Sequence, residues 1–218
     1  MGLCYAVNSA VLPERWFLPP ALDRAPLMLG LVLRHKGVAL RITEVEAYMG
    51  EQDPGSHAFR GRTKRNAVMY GPPGRAYVYF HMGLHHCVNL VCGPTDFATG
   101  VLIRAGEVID GVDTAMARRN AKGVCRKVDD VARGPARLTV ALGIDLSDDG
   151  TPVCLEGGPM TLSRPADPVQ FSIGSGARVG VSGEGGDAER FPWRFWIAGD
   201  PTVSAYRASP PLRARPRS

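Results

Sequence analysis

The segment LVLRHKGVALRITEVEAY, residues 31–48, sets the architecture of this chain. Two β-type runs, Leu31–His35 and Val38–Tyr48, flank the two-residue turn signal Lys36-Gly37 and predict an antiparallel hairpin. Along the second strand, period-two alternation places Ile42, Glu44, Glu46 and Tyr48 on one face. A carboxylate therefore sits beside a phenol ring. Glu44 fits an outward, solvated position, whereas Glu46 has aromatic company further along the chain.

That company comes from RAYVYFHMGLHHCVNLV, residues 75–91, which reads as a second hairpin, Arg75–Phe80 with His86–Val91, and Gly83 at its tip. Tyr77 and Tyr79 alternate toward one face, and taken alone such a pair is more often core than ligand cage. Between the hairpins runs a long Gly-, Pro- and Arg-rich connection, Gly50 to Gly74, containing His57 and the basic run RGRTKRN. Connections of that length are usually functional or disordered. Arg60, Arg62, Lys64 and Arg65 form a solvated face on the plainest reading; next to an aromatic hairpin, tracking a phosphate backbone becomes the better one. His81, His85 and His86 suggest a metal-ligand spacing, but the two-His zinc motif needs a helix to bring its ligands to one face, and Gly83 marks a hairpin tip.

Elsewhere the pattern is mixed. Helical spacing appears in ALDRAPLMLGLVLRH up to a stop at Gly30, in Asp110–Lys122, and in Gly134–Leu142 with Pro135 in a favoured first-turn position. Val101–Ala105 is a short strand, Gly106-Glu107 and VSGEGG read as turns, and ARVGVSG and PWRFWIAG have strand-and-turn character. No repeat and no domain boundary is visible. The tail SPPLRARPRS is Pro- and Arg-rich and reads as disordered.

Composition narrows the function classes. With 218 residues, 44% hydrophobic and 22% charged, the chain is long enough to bury a core without staples. A net charge of +5 favours a polyanionic partner, although its arginine bias fits GC-rich coding equally well. Five scattered cysteines, odd in number and without a C-x-x-C pair, read as free thiols in a reducing compartment. No signal peptide or membrane-length apolar run is present, and Ala6 stands where a myristoylation signal wants Ser or Thr. A soluble intracellular protein is expected.

The motifs, taken in order, resemble a known family. EVEAY, His57, RTKRN, Met69, Gly74, AYVY, Gly83, CVN, VLIRA, GPARLTVALGID, ARVGVSG and RFWIAGDPTVS are similar, over roughly residues 10–206, to the alkyladenine (3-methyladenine) DNA glycosylases that lack a helix-hairpin-helix. The resemblance implies an α+β fold: a single mixed domain, residues 1–206, round a curved antiparallel sheet with a protruding, DNA-inserting β-hairpin, followed by a basic tail, 207–218. It implies a monomeric, monofunctional enzyme that hydrolyses the N-glycosidic bond of damaged purines in double-stranded DNA. No metal, cofactor or membrane is involved, and the setting is the bacterial cytoplasm at the nucleoid.

Carried over by position, Glu46 is the catalytic base, Arg104 lies near the attacking water and the Val179 carbonyl contacts that water. Tyr48 and His57 stack on one side of the flipped base and Tyr79 on the other; Asn89 excludes the guanine 2-amino group, and Leu102 completes the base-binding set. Arg60, Arg62, Lys64 and Arg65 hold the DNA backbone. The hairpin tip departs from the family: many members put Tyr at the wedge, and here Met82 stands there, apolar and flexible but a poorer stacking partner. Two further readings stay open: a non-catalytic nucleic-acid-binding module of similar fold, and a metal hydrolase built on His81, His85 and His86.

Overall fold

Lys36 (φ 43°) and Gly37 (φ 79°) both take positive φ, the turn geometry whose twist matches flanking strands, and they close β1 (Val32–His35) onto β2 (Val38–Tyr48) as the sequence predicts. The computed structural model describes residues 10–81 and 83–209. Met82, expected as the wedge, and the tail beyond residue 209 lie outside the described residues. The second predicted hairpin is β3 (Ala76–His81) with β4 (His85–Cys92), and β5 (Thr99–Asp110) follows. Strands β6 (Met160–Ser163), β7 (Ile173–Gly176) and β8 (Arg194–Ile197) complete, among the described residues, an antiparallel sheet of eight strands. Its order is β3-β4-β5-β2-β1-β6, with β8 also on β2 and β7 on β8.

Among the described residues three helices pack with the sheet: α1 (Ala21–Met28), α2 (Val112–Asn120) and α3 (Pro135–Leu142). The fold is α+β, as expected. Helix α1 buries Ala21, Ala25 and Met28, the i, i+4, i+7 stripe of an amphipathic helix, and α3 buries Leu138, Ala141 and Leu142. These side chains join Leu33, Leu40, Ile42, Val45, Ala47, Leu90 and Ile103 in the main apolar core. Each such Leu or Ile contributes about 1.5–3 kcal/mol on burial.

Strand β2 changes partners along its length. One edge pairs with β5 throughout; the other pairs with β1 over Val38–Arg41 and with β8 over Glu44–Glu46. The register with β5 slips at that changeover. Ile42 faces Gly106 and Glu44 faces Ala105, so Thr43 is an extra residue on β2; Val45 then faces Ile103, so Arg104 is an extra residue on β5. The two slips cancel. Ile42 consequently lies in the core with Val45 and Ala47, and not on the Glu46 face as simple alternation predicts.

Gly106-Glu107 are strand residues of β5 and do not form the expected turn. The reason for glycine is local: a Cβ at 106 would lie 2.2 Å from Leu40 Cδ2 and 2.5 Å from the Arg41 carbonyl oxygen. The predicted strand at 101–105 is thereby extended at both ends, while ARVGVSG forms no strand.

Candidate active site

The sheet register itself builds the site. Tyr77 on β3 faces Asn89 on β4, Asn89 faces Leu102 on β5, Leu102 faces Glu46 on β2, and Glu46 faces Arg194 on β8. One row across five strands thus brings a ring, an amide and a leucine of the pocket wall to a carboxylate. In the adjacent row Tyr79 faces Cys87, and His81 faces His85. Together Tyr48, His57, Tyr79, Asn89, Leu102, Arg104 and Val179 border a pocket of about 410 Å³, a volume suited to one planar ring system. The sequence-predicted residues therefore converge, except Met82, which is not described, and the four basic residues, which lie outside the pocket lining.

Glu46 is 0% exposed, set behind the lining residues. Tyr48 Oη donates to its Oε2 at 2.8 Å, the Val179 N–H donates to Oε1 at 2.7 Å, and Arg104 Nη1 lies 3.2 Å from Oε1. Val179 thus meets Glu46 through its amide. A carboxylate offers about four lone-pair positions. Three donors leave one, on Oε2, toward Tyr48. Burial and the neighbouring Glu46 both push the Tyr48 phenol well above its ordinary pKa, so it remains a donor.

Glu44 shares the Glu46 face, as the alternation predicts, but it is not solvated. It is 0% exposed because β8 and the C-terminal segment cover it. Its Oε1 accepts from Arg104 Nε (2.7 Å), Arg194 Nε (2.8 Å) and Ser204 Oγ (2.9 Å), and its Oε2 accepts from the Ser204 N–H (2.7 Å). Burial raises the Glu44 pKa, but Arg104, Arg194 and Ser204 outweigh it and hold the carboxyl below its ordinary value. Arg104 feels the converse: burial opposes its charge, and Glu46 and Glu44 more than restore it.

A second buried pair supports the wall from behind. Arg178 is 1% exposed and grips Asp53 with both terminal nitrogens, while donating to the carbonyls of Ala47 (3.0 Å) and Gly185 (2.8 Å). Its guanidinium lies 4.6 Å from the centroid of the Tyr48 ring and 5.2 Å from that of Trp193. The next residue in the chain is Val179, so the same anchor sets the amide that reaches Glu46.

The outer lip is built differently. His57 packs edge-on against Tyr79 with centroids 4.6 Å apart, and Tyr77 stacks on Tyr79 at 5.3 Å. In this arrangement His57 and Tyr79 touch, so a base seated between them requires the His57 ring to move aside. Partial desolvation, with Arg65 and His81 close by, pushes the His57 pKa down to about 4. The loop carrying it is ordered by Asn66, whose amide donates to the His57 (3.0 Å) and Gly61 (3.1 Å) carbonyls and accepts from the Thr63 N–H (2.7 Å).

Arg60, Arg62, Lys64 and Arg65 are all exposed. Arg65 donates to the Phe80 carbonyl (3.1 Å) and lies over Tyr79, tying the basic loop to the hairpin. The histidine cluster divides: His81 and His85 border the pocket with centroids 5.5 Å apart, whereas His86, facing Phe80 in register, packs on that ring across the hairpin.

Sequence reasoning missed Asp53, Asn66, Arg178, Arg194 and Ser204, and misjudged Glu44. Four of these lie inside motifs quoted for other members, RTKRN, ARVGVSG and RFWIAGDPTVS. An arginine beside strand or glycine motifs was the available signal.

Comparison with known proteins bears on what this arrangement does. The family model described as methylpurine-DNA glycosylase matches residues 15–201. A Streptomyces avermitilis protein named “Putative 3-methyladenine DNA glycosylase” is 53% identical over 217 residues, covering 96% of this chain and 98% of the relative. Proteins of the same name from Leifsonia xyli subsp. xyli and Nocardia farcinica are 53% and 50% identical, covering 89% and 88% of this chain.

Proposed function

The chain belongs to the methylpurine-DNA glycosylase family, hydrolases acting on N-glycosyl bonds, and from that premise we propose how its pocket excises a purine. Base excision repair is its setting and DNA its substrate. The reading of a non-catalytic module has no support beside this family membership. The finer proposal is a monomer, working at the nucleoid in the bacterial cytoplasm, that flips an alkylated or deaminated purine out of duplex DNA and hydrolyses it with water alone. Among the described residues no helix is long and apolar enough to cross a membrane.

One observation supports this reading above the others: Glu46 lies fixed by Tyr48, Val179 and Arg104, three residues that line a ring-walled pocket. A base in a duplex hides its glycosidic bond, and extruding the nucleotide costs a few kcal/mol. Stacking on one aromatic side chain returns about 1–3 kcal/mol. Tyr48 and Tyr79, with His57 swung clear, supply such faces, and Met82 fills the vacated stack. Alkylated purines carry positive charge, which electron-rich rings favour through their quadrupoles, so damaged bases are selected without a unique hydrogen-bond code. Asn89 in the pocket wall stands where a 2-amino group would collide.

As the purine leaves, positive charge develops on the sugar. The Glu46 carboxylate stabilises it and, through its open Oε2 position, takes a proton from the attacking water; Arg104 and the Val179 carbonyl orient that water. Positioned general bases give about 10²–10⁴-fold. Glu46→Gln is accordingly expected to slow single-turnover excision of 3-methyladenine by at least about 10²-fold while abasic-site DNA binding persists. Retained excision would remove Glu46 from the mechanism.

A further inference from the structure

The mechanism above uses Arg104 toward Glu46 and the attacking water, yet the shorter of its two carboxylate contacts goes elsewhere. Arg104 Nε is 2.7 Å from Glu44 Oε1, whereas Nη1 is 3.2 Å from Glu46 Oε1. Guanidinium prefers a two-pronged grip on one carboxylate. Nothing in the chemistry of Arg104 stops it from closing on Glu46 in that way; what stops it is the second carboxylate. A two-pronged grip would occupy both Glu46 oxygens, and with Tyr48 and Val179 already bonded, it would remove the open position that the water needs.

We propose that Glu44 is a positioning residue for excision: it holds the Nε edge of Arg104 and thereby keeps Glu46 able to accept a proton. Glu44 is itself well fixed, by Arg194 from β8 and by both the amide and hydroxyl of Ser204 from the C-terminal segment. The local charges balance, two carboxylates against two guanidiniums. Other titratable groups facing Glu46 are Tyr48 on its own strand, with Tyr79 from β3, Cys87 from β4 and Arg178 from the loop after β7 further off. None of them touches the Arg104 Nε edge. The β5 slip that makes Arg104 an extra residue aims it between the two carboxylates.

This inference rests on Glu46 being the base, and the experiment separates the two ideas. In Glu44→Gln, single-turnover excision of 3-methyladenine from duplex DNA is expected to slow by about 10²-fold, the loss typical of a catalytic group displaced by about 1 Å. Abasic-site DNA affinity should stay unchanged. The acid limb of the rate–pH profile should move, because Arg104 then closes on Glu46 alone. An equal loss of rate and affinity, or a slower rate with the acid limb unmoved, makes Glu44 merely structural and overturns the proposal. Should Glu44→Gln not fold, Glu44→Asp keeps the buried charge but retreats from Arg104, and the same displacement of smaller size is expected. If Glu46→Gln still excises, the reading of the base has failed; if it does not, while Glu44→Gln leaves the pH profile in place, only the positioning role has failed.

Discussion

The inner wall and the outer lip of the pocket solve opposite problems with different residues. On the wall, Glu44, Glu46, Asp53, Arg104, Arg178 and Arg194 are at most 5% exposed, and each charge meets an opposite one or a fixed amide. On the lip, His57, Arg60, Arg62, Lys64, Arg65 and Leu84 are exposed, and contacts there are ring edges, guanidiniums over rings, single hydrogen bonds and one exposed ion pair, Arg62 with Asp96. Proton transfer needs fixed direction in a low dielectric, which only a closed ion-pair network holds against desolvation. Capturing DNA needs accessible rings and cations that can adjust. Rate and affinity are therefore expected to separate along this division.

The most severe way to test the wall, short of removing Glu46 itself, is Asp53→Ala. It leaves Arg178 buried without its anion, and a broken buried pair costs about 3–5 kcal/mol. Urea or thermal unfolding should show that loss; a stability change below about 1 kcal/mol would mean that the wall is not held by its charges. On the lip, Tyr79→Ala should weaken binding of lesion DNA, measured in the Glu46→Gln background, by the about 1–3 kcal/mol of one stacked base. A matching collapse in stability would erase the distinction between the two regions.

Smaller effects sharpen it. Lys64→Ala should reduce the slope of log affinity against log salt by about 1 and leave excision at saturating enzyme unchanged. An unaltered slope would take Lys64 off the DNA backbone. The smallest effect concerns His57, whose pKa falls from its ordinary 6.5 to about 4 on folding. The unfolded chain binds that proton more tightly, so stability is full above pH about 6.5 and declines as pH drops toward 4. His57→Gln should flatten this part of the urea-midpoint profile slightly, since the side chain keeps an exposed edge.

The lip and the hairpins were legible in the sequence because strand alternation is local: Tyr77 and Tyr79 must share a face, and Lys36-Gly37 must turn. Glu46 and Tyr48 were legible for the same reason. The burial of Glu44 was not, because it depends on Arg194 and Ser204, 150 and 160 residues away in the chain; nor was the place of Ile42, because a register slip leaves no trace in a hydrophobic pattern. Asp53 and Arg178 are 125 residues apart, beyond anything periodicity reports. The roles expected of Arg104 and Val179 came from resemblance alone, since Val179 is 133 residues from Glu46 in the chain and no local pattern joins them.

The paired slips at Thr43 and Arg104 carry a consequence for how related chains vary in length. Because one extra residue on β2 is answered by one on β5, the pairing on both sides of the site stays in step: Ile42 with Gly106 before it, Glu46 with Leu102 after it. A lone insertion or deletion in either strand would offset every partner beyond it and carry the apolar face of that strand into the polar pocket. Loss of both extra residues together would restore a plain ladder from Leu40 to Tyr48, but with no Arg104 between the carboxylates. Such a chain would leave Glu44 and Glu46 without the guanidinium that now lies between them.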